Sequence, residues 1–223
     1  MTGASAVQAA LDNDILLKAA CYRLAPRFWP QNAESPTSAV LGSARYVLTH
    51  LITRGERVKD KEAATRALEE FFAGVLVLEP SDHELTAAAE LEALAQRAGL
   101  ELDVGESQLA AIVAAREIPW LDTGDKRAVR GFEALLEQSH TCALLGARIR
   151  CLELLLLRTL EETPEQLDAL ARAVCAEPDL DKTASICFGC YSGDPSPRLQ
   201  DVRAGLESYI AALRAQARTV LAG

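Results

Sequence analysis

Acidic side chains stand where two short apolar segments of this 223-residue chain end. Asp12 follows the apolar run that closes at Leu11, and Asp125 ends the turn after the run Trp120–Leu121. In an α/β sheet, polar residues just past the carboxyl ends of the strands point into the crevice where ligands bind. Five acids lie at this predicted crevice or one helix away from it: Asp12, Asp14, Glu106, Asp122 and Asp125.

Carboxylates gathered in one crevice repel each other unless they are protonated or share a cation. Their oxygens suit hard divalent ions such as Mg²⁺ and Mn²⁺. The sequence therefore predicts a Mg²⁺ or Mn²⁺ ion at this crevice. A simpler interpretation stays open for Asp12 and Asp14, because either could serve only as the N-cap of the helix that follows.

Five short apolar runs alternate with helical patterns over the first 160 residues. These runs are typical of buried strands bounded by polar turns, and they comprise Ala6–Leu11, Ser38–Leu41, Val75–Leu78, Trp120–Leu121 and Ala147–Cys151. Between them, apolar residues recur at helical spacing, and Ser81 with Glu84 forms a capping-box pattern. Strands separated by helices favour a three-layer α/β fold with a short, mainly parallel sheet.

Residues 161–223 have a helical pattern without strand-like runs. Thr163 and Gln166 form a capping-box pattern with Pro164 at the first helical position, which predicts a helix reaching about Cys175. A long helix is predicted from Pro197 to about Leu221. The sequence therefore predicts an α/β domain at residues 1–160 and a helical C-terminal extension at residues 161–223.

The net charge of −9 excludes a general attraction of the whole surface to nucleic acid, so such a site needs a local basic patch or metal ions. Cations near the predicted crevice either contact substrate phosphates or lie on solvated helix faces, and they are Lys18, Lys126, Arg127 and Arg130. The N-terminal segment lacks a signal-peptide pattern, and the longest apolar run is too short for a bilayer. We expect a cytoplasmic protein that does not enter membranes.

Six cysteines without a signal peptide indicate thiols or a metal site in a reducing compartment rather than a disulfide framework. Cys187 and Cys190 form a CxxC motif, and Cys175 precedes it. Three interpretations stay open for this cluster: free thiols, a structural zinc site and a redox dithiol. A zinc site would need a fourth ligand from elsewhere, such as Cys142 or Cys151. The three histidines are scattered and indicate no catalytic pairing.

Three segments of the chain, LDNDILLK, DVGESQLAAIVA and LDTGDKRA, resemble the PIN-domain family of metal-dependent ribonucleases, which includes toxins of bacterial toxin–antitoxin pairs. The resemblance covers Ala6 to Glu153, so a PIN-like fold would carry the C-terminal helices as an addition. It implies that Asp12, Glu106 and Asp125 are the metal-binding, catalytic acids. It also places Thr123 where the family often has a hydroxyl residue near the metal.

One departure from the family concerns a glutamate that it usually carries in the helix after the second strand. Here that region reads AVLGSARYVLTH and contains no acid. The resemblance therefore leaves three or four carboxylates for the metal, with Asp14, Asp103 or Asp122 as candidates to complete the set. Glu84 and Glu90 are expected on a solvated helix face and are poorer candidates.

The resemblance implies a Mg²⁺- or Mn²⁺-dependent endoribonuclease, in which the ion activates water for attack on a phosphodiester and offsets the developing charge. RNA is then the substrate, and an antitoxin or another protein is a candidate partner. Dimers are common in the family, and the apolar stretch Leu152–Leu157 would suit a homodimer interface or the core. Two alternatives stay open: a catalytically degenerate PIN-like binding or scaffold protein, and a phosphatase that uses the same carboxylates.

Overall fold

A five-stranded parallel sheet forms the centre of an α/β fold. The computed structural model describes residues 7–30, 37–192 and 197–223. All neighbouring strands pair in parallel, in the spatial order β3-β2-β1-β4-β5. The strands are β1 (Ala9–Leu11), β2 (Ser38–Leu41), β3 (Leu76–Leu78), β4 (Trp120–Asp122) and β5 (Ile149–Arg150). The predicted strands are confirmed within a few residues; Ala6, part of the first one, lies outside the described residues.

Helices connect the strands and complete the chain, and many begin at a polar side chain that caps free backbone N–H groups. Before β4 they are α1 (Asn13–Cys21), α2 (Ala25–Phe28), α3 (Ala44–Arg54), α4 (Lys61–Phe72), α5 (Asp82–Ala98) and α6 (Val104–Ala115). After β4 they are α7 (Lys126–Ala134), α8 (His140–Ala143), α9 (Leu152–Glu162), α10 (Leu167–Ala176), α11 (Lys182–Cys187) and α12 (Leu199–Arg214). Within the described ranges, no helix combines the length and the apolar character needed to cross a bilayer.

The sheet is built in two halves that meet between β1 and β4. β2 and β3 add to one side of β1, and the chain then returns to place β4 and β5 on the other side. Leu11 pairs in register with Asp122, and the Asp12 N–H donates to the Asp122 carbonyl at 2.9 Å. A reversal of strand order opens a crevice at the carboxyl ends of the two strands. The residues that follow β1 and β4 therefore lie side by side in that crevice.

Helices cover both faces of the sheet and create two hydrophobic cores. Side chains alternate along a strand, so Ala9 and Leu11 pack into one core and Ala10 into the other. The first core joins β1 to α1, α3, α4 and α9, and the second joins the sheet to α5, α6 and α7. Most of the apolar stretch Leu152–Leu157 is buried, which favours the core over a dimer interface for these leucines.

The C-terminal helices share the first core with the rest of the fold. Val174 in α10 and Phe188 just after α11 are fully buried in the same cluster as Leu16 in α1. The capping box predicted at Thr163 is wrong, because the Thr163 hydroxyl instead donates to the Thr159 carbonyl at 2.8 Å at the end of α9. A 3₁₀ turn, Pro164–Gln166, therefore precedes α10.

The last residues add to the sheet instead of continuing the final helix. α12 ends at Arg214, well before the predicted end at Leu221. The Ile149 N–H then donates to the Val220 carbonyl at 3.0 Å, and the Ala222 N–H donates to the Ile149 carbonyl at 2.8 Å. This short parallel bridge covers the free edge of β5. A covered edge cannot recruit a foreign strand.

The cysteines in the C-terminal helices depart from the expectation that all six are thiols or metal ligands. Cys175 and Cys190 form a disulfide, whereas Cys187 is free. Gly189 has a φ of 71°, and this left-handed turn after α11 separates the two halves of the CxxC motif. A zinc site at Cys175, Cys187 and Cys190 would need two thiolates that this disulfide consumes.

A buried ion pair ties the ends of β4 and β5 together. Asp122 is fully buried and accepts hydrogen bonds at 2.7 Å from Nε and Nη2 of Arg150. It also accepts a bond from the indole Nε1 of Trp29 at 2.7 Å. Three charge-assisted or indole donors thus satisfy the Asp122 carboxylate, which makes it a structural anchor of the sheet.

Removing the cation of this pair should destabilise the fold strongly. We expect Arg150→Met to lower the free energy of unfolding by about 3–5 kcal/mol, because it leaves the Asp122 carboxylate buried without a counter-charge. Arg158→Met, which breaks an exposed pair with Glu162, should cost less than about 1 kcal/mol. Urea denaturation measures both.

The double variant Asp122→Asn/Arg150→Met separates charge from packing. It leaves no buried charge, so it should recover at least half of the loss seen in Arg150→Met. A loss in Arg150→Met no larger than that in Arg158→Met would contradict the anchoring role of the pair.

Candidate functional site

Asp12 is the first residue after β1 and faces the crevice beside β4. Its Oδ1 accepts the Asn13 N–H at 2.6 Å, so it caps α1, and its Oδ2 accepts the Thr123 hydroxyl at 3.1 Å. The residue is only 5% exposed. Burial, and then the charges of Asp14 and Asp103, raise the pKa of Asp12 to about 7. The N-cap interpretation is therefore confirmed for Asp12, and it coexists with a position in the crevice.

Glu106 reaches the same crevice from the first turn of α6. Asp103 and Glu106 form a reciprocal capping box: the Glu106 N–H donates to Asp103 Oδ1 at 2.7 Å, and the Asp103 N–H donates to Glu106 Oε2 at 2.9 Å. Glu106 is 7% exposed. Burial, together with the charges of Asp103, Asp12 and Asp125, raises its pKa to about 8. The negative charges of these four acids therefore act on one another in one place.

Asp125 lies at the mouth of this cluster and is held by a cation. It caps α7 by accepting the Arg127 N–H at 2.7 Å, and the Arg127 guanidinium contacts both of its carboxylate oxygens. Partial burial would raise the pKa of Asp125, but the hydrogen bonds and charge of Arg127 lower it. Asp125 is therefore ionised and engaged, in contrast to Asp12 and Glu106.

The other two predicted ligands have partners of their own. Asp14 lies at the edge of the crevice and forms an ion pair with Lys18 at 2.6 Å. Gly124 passes so close to this pair that a Cβ there would collide with the Asp14 carboxylate. Asp122 is bound by Arg150 and Trp29 as described above, so we leave it out of the candidate site.

No acid follows β2 in the helix where the resembled family usually has a glutamate. Asp103, one of three candidates to replace it, lies near Asp12 and Glu106. Asp103 raises the pKa of both Asp12 and Glu106, so its carboxylate lies within electrostatic range of both. The prediction that Glu84 is solvated is wrong, because Glu84 is buried and binds Arg116 through both oxygens at 2.7 Å. Glu90 is exposed as expected.

A buried network of charges lies beneath the crevice. Lys18 Nζ lies 2.9 Å from Asp181 and donates to the Gly124 carbonyl at 3.3 Å, so its interpretation as a solvated side chain is wrong. Lys126 forms an ion pair with the buried Glu153 at 2.6 Å. Sequence reasoning missed Asp181 and Glu153, which lie more than a hundred residues from Lys18 along the chain.

The donor chemistry at the crevice fits a hard divalent cation. Asp12 and Glu106 offer two buried carboxylates, and Thr123 adds a hydroxyl next to Asp12. Among the described residues, no three or more His, Cys, Asp or Glu side chains form a group that could hold a metal ion, so Asp12, Glu106 and Asp125 do not form a ready-made cage. Mg²⁺ does not require such a cage, since it commonly binds one or two carboxylates and keeps several waters for exchange with substrate phosphates.

Comparison with known proteins gives no relative for this arrangement. The chain matches no family model, no curated protein and no solved structure. The interpretation of the site therefore depends on its own geometry and chemistry.

The metal-free protein should become less stable as pH rises from about 5 to 8. Asp12 and Glu106 keep their protons in the folded chain until the pH approaches about 7 and about 8, to which their pKa values are raised, whereas the unfolded chain has released both by about pH 5. The folded state then binds more protons, so raising the pH favours unfolding, by about 6 kcal/mol over this range. Urea denaturation in the presence of a chelator, at several pH values, measures the slope.

Two substitutions and one control assign the slope to these residues. Asp12→Asn and Glu106→Gln should each flatten it, because an amide does not titrate. Glu56→Gln, an exposed site, should leave it unchanged. A wild-type stability that is flat or rises between these pH values would show that the two carboxyl groups are not buried against each other.

Proposed function

We propose that the chain is a Mg²⁺- or Mn²⁺-dependent nuclease that hydrolyses RNA phosphodiesters at the crevice between β1 and β4. One observation carries the proposal. Asp12 and Glu106 are buried in this crevice, their charges repel, and within the described part of the chain neither forms an ion pair. A buried carboxylate without a counter-charge is costly, and a shared divalent cation removes that cost for both.

An ion held by only two carboxylates has free coordination positions, which favours an ion that takes part in the reaction over a purely structural one. Two protein carboxylates leave most positions around a six-coordinate ion to water and substrate. Phosphate oxygens are the ligands that commonly complete such sites. A bound ion would supply a water of lowered pKa and would offset the charge that develops on the phosphate.

The chain's own residues would orient and hold the reacting groups. Asp12 and Glu106 would bind the ion, each fixed by a helix cap. The Thr123 hydroxyl donates to Asp12 and accepts the Asp125 N–H at 3.1 Å, so it links both strand ends. Asp103 and Asp125 would add negative charge that attracts the cation, although neither has to touch it.

A PIN-like assignment and an RNA substrate are further parts of this proposal. Support comes from the three segments that resemble the family: two of them follow the ends of β1 and β4 in a parallel sheet, and the third begins α6. Asp103 would take the role of the glutamate that the family usually has after the second strand. A degenerate scaffold protein would instead keep the carboxyl pair protonated and would bind no ion.

Mn²⁺ binding by calorimetry tests the site directly. We expect wild-type protein to bind Mn²⁺, and Asp12→Asn, Glu106→Gln and Asp125→Asn each to weaken it. For the two buried ligands the loss should be at least the 10- to 100-fold that removal of a supporting group costs a metal site. Asp168→Asn, an exposed control of the same charge change, should bind like wild type.

Proton release gives the same experiment a second readout. Because Asp12 and Glu106 must lose their protons to bind the ion, binding at about pH 6.5 should release protons, and affinity should increase toward about pH 8. Buffers with different ionisation enthalpies reveal the release. Absence of binding at millimolar Mn²⁺ in the wild type would overturn the metal-dependent mechanism and favour the scaffold alternative.

Cleavage assays then distinguish the possible substrates. We expect Mn²⁺-dependent cleavage of single-stranded RNA, reduced at least about 100-fold in Asp12→Asn and Glu106→Gln, because these remove ligands of the reacting ion. Small phosphate monoesters should be poor substrates. Faster turnover of the monoesters than of RNA would instead favour a phosphatase.

A further inference from the structure

Arg127 occupies the mouth of the carboxylate cluster. Its side chain lies between two acids: Nη2 is 2.7 Å from Asp125 Oδ2, and Nη1 is 2.7 Å from Glu101 Oε2. Nε adds longer contacts to both oxygens of Asp125. The guanidinium is nevertheless 65% exposed, and Glu101 is 74% exposed. Asp125 is only 21% exposed, so solvent reaches the guanidinium and Glu101 more easily than it reaches Asp125.

Arg127 competes with a metal ion for the carboxylate of Asp125. The face of Asp125 that carries Arg127 cannot also bind a metal ion, and a positive guanidinium beside the cluster repels a divalent ion. The Arg127–Glu101 pair is exposed on both sides and contributes little to stability. Asp125 is 21% exposed, so the guanidinium leaves it when another anion, such as a phosphate, replaces the carboxylate. The Asp125 cap on α7 would remain, since it is made by the backbone N–H of Arg127.

We propose that Arg127 is a two-position side chain, which closes the carboxylate crevice without a cation and turns to bind a substrate phosphate when a cation is present. This inference rests on the proposed function, because it requires an ion at Asp12 and Glu106. A guanidinium carries five N–H groups, and the forked arrangement that now binds Asp125 matches a phosphate equally well. Two other cations near the crevice are less free, because Lys18 and Lys126 are held by buried carboxylates.

Such a residue would position the substrate and would also set the affinity for the metal. Removal of the Arg127 side chain should therefore strengthen Mn²⁺ binding and weaken RNA binding. A residue that only stabilises α7 would weaken both or neither. The Mn²⁺ dissociation constant and the KM for RNA therefore have to be measured in the same variant.

Mn²⁺ calorimetry with no RNA present tests the closed position. We expect Arg127→Ala to tighten the Mn²⁺ dissociation constant about three- to tenfold, the range that loss of a competing exposed ion pair and of one positive charge allows. Arg66→Ala is the matched control, because Arg66 is 64% exposed, pairs with Glu62 and loses the same charge. It should change the constant less than about twofold. Equal constants in Arg127→Ala and Arg66→Ala, or weaker binding in Arg127→Ala, would overturn the closed position.

Steady-state RNA cleavage at saturating Mn²⁺ tests the open position. Arg127→Ala should increase KM at least about fivefold with kcat changed less than about threefold, because a phosphate contact made before and during reaction contributes uniform binding. Arg127→Lys, which keeps the charge without the fork, should restore part of the KM. An unchanged KM in Arg127→Ala would overturn the substrate contact.

Failure of the proposed function gives a different result. If neither the wild type nor Arg127→Ala binds Mn²⁺, the carboxylate pair holds no ion, and the proposed function is overturned together with this inference. If the wild type binds and Asp12→Asn does not, the proposed metal site stands, and the Arg127→Ala dissociation constant and KM then decide the role of Arg127.

Discussion

The repulsion between buried carboxylates at the β1–β4 crevice is the constraint around which the neighbouring charges are arranged. Asp12 and Glu106 have pKa values far above those of free carboxylic acids, first because they are buried and then because of neighbouring acids: Asp14 and Asp103 act on Asp12, and Asp103, Asp12 and Asp125 act on Glu106. Four nearby cations could cancel this repulsion, but each of the four has a carboxylate of its own: Lys18 has Asp14 and Asp181, Lys126 has Glu153, Arg127 has Asp125 and Glu101, and Arg150 has Asp122. Within the described part of the chain, Asp12 and Glu106 are thus left without an ion pair.

This arrangement explains why the C-terminal helices cannot be understood as an independent appendage to the site. Asp181, which caps α11, lies 2.9 Å from Lys18 and 3.7 Å from Lys126. Without that carboxylate, the buried Lys18 and the half-buried Lys126 would carry less neutralised positive charge beneath the crevice. The disulfide between Cys175 and Cys190 joins α10 to the segment after α11 and so restricts the position of Asp181. The helices after residue 160 therefore help to leave the acidic pair without a cation.

Local signals in the sequence predicted the strands, most helices and the acids that converge. Strand ends and helix caps depend on neighbours in the chain, so Asp12, Glu106 and Asp125 could be found from hydrophobic runs and capping patterns alone. The anchor made by Asp122, Arg150 and Trp29 could not, because it joins residues far apart in sequence. An acid at a strand end looks the same in the sequence whether it faces the crevice or binds an arginine behind it.

The pairing of cysteines and the closing of the sheet edge escaped prediction for the same physical reason. Both depend on where a turn sends the chain: Gly189 turns Cys190 away from its CxxC partner, and the residues after α12 return to β5. Where the chain turns back onto the fold, it buries apolar surface. This burial stabilises the fold and offsets the free-energy cost of the buried acids. A fold with a core on each face of its sheet can tolerate a repulsive pair worth a few kcal/mol. Any cation that binds the folded state then stabilises it by mass action. The cost of burying two acids together thus becomes a preference for the ion-bound state, which links the stability of the protein to the ion that we propose it uses.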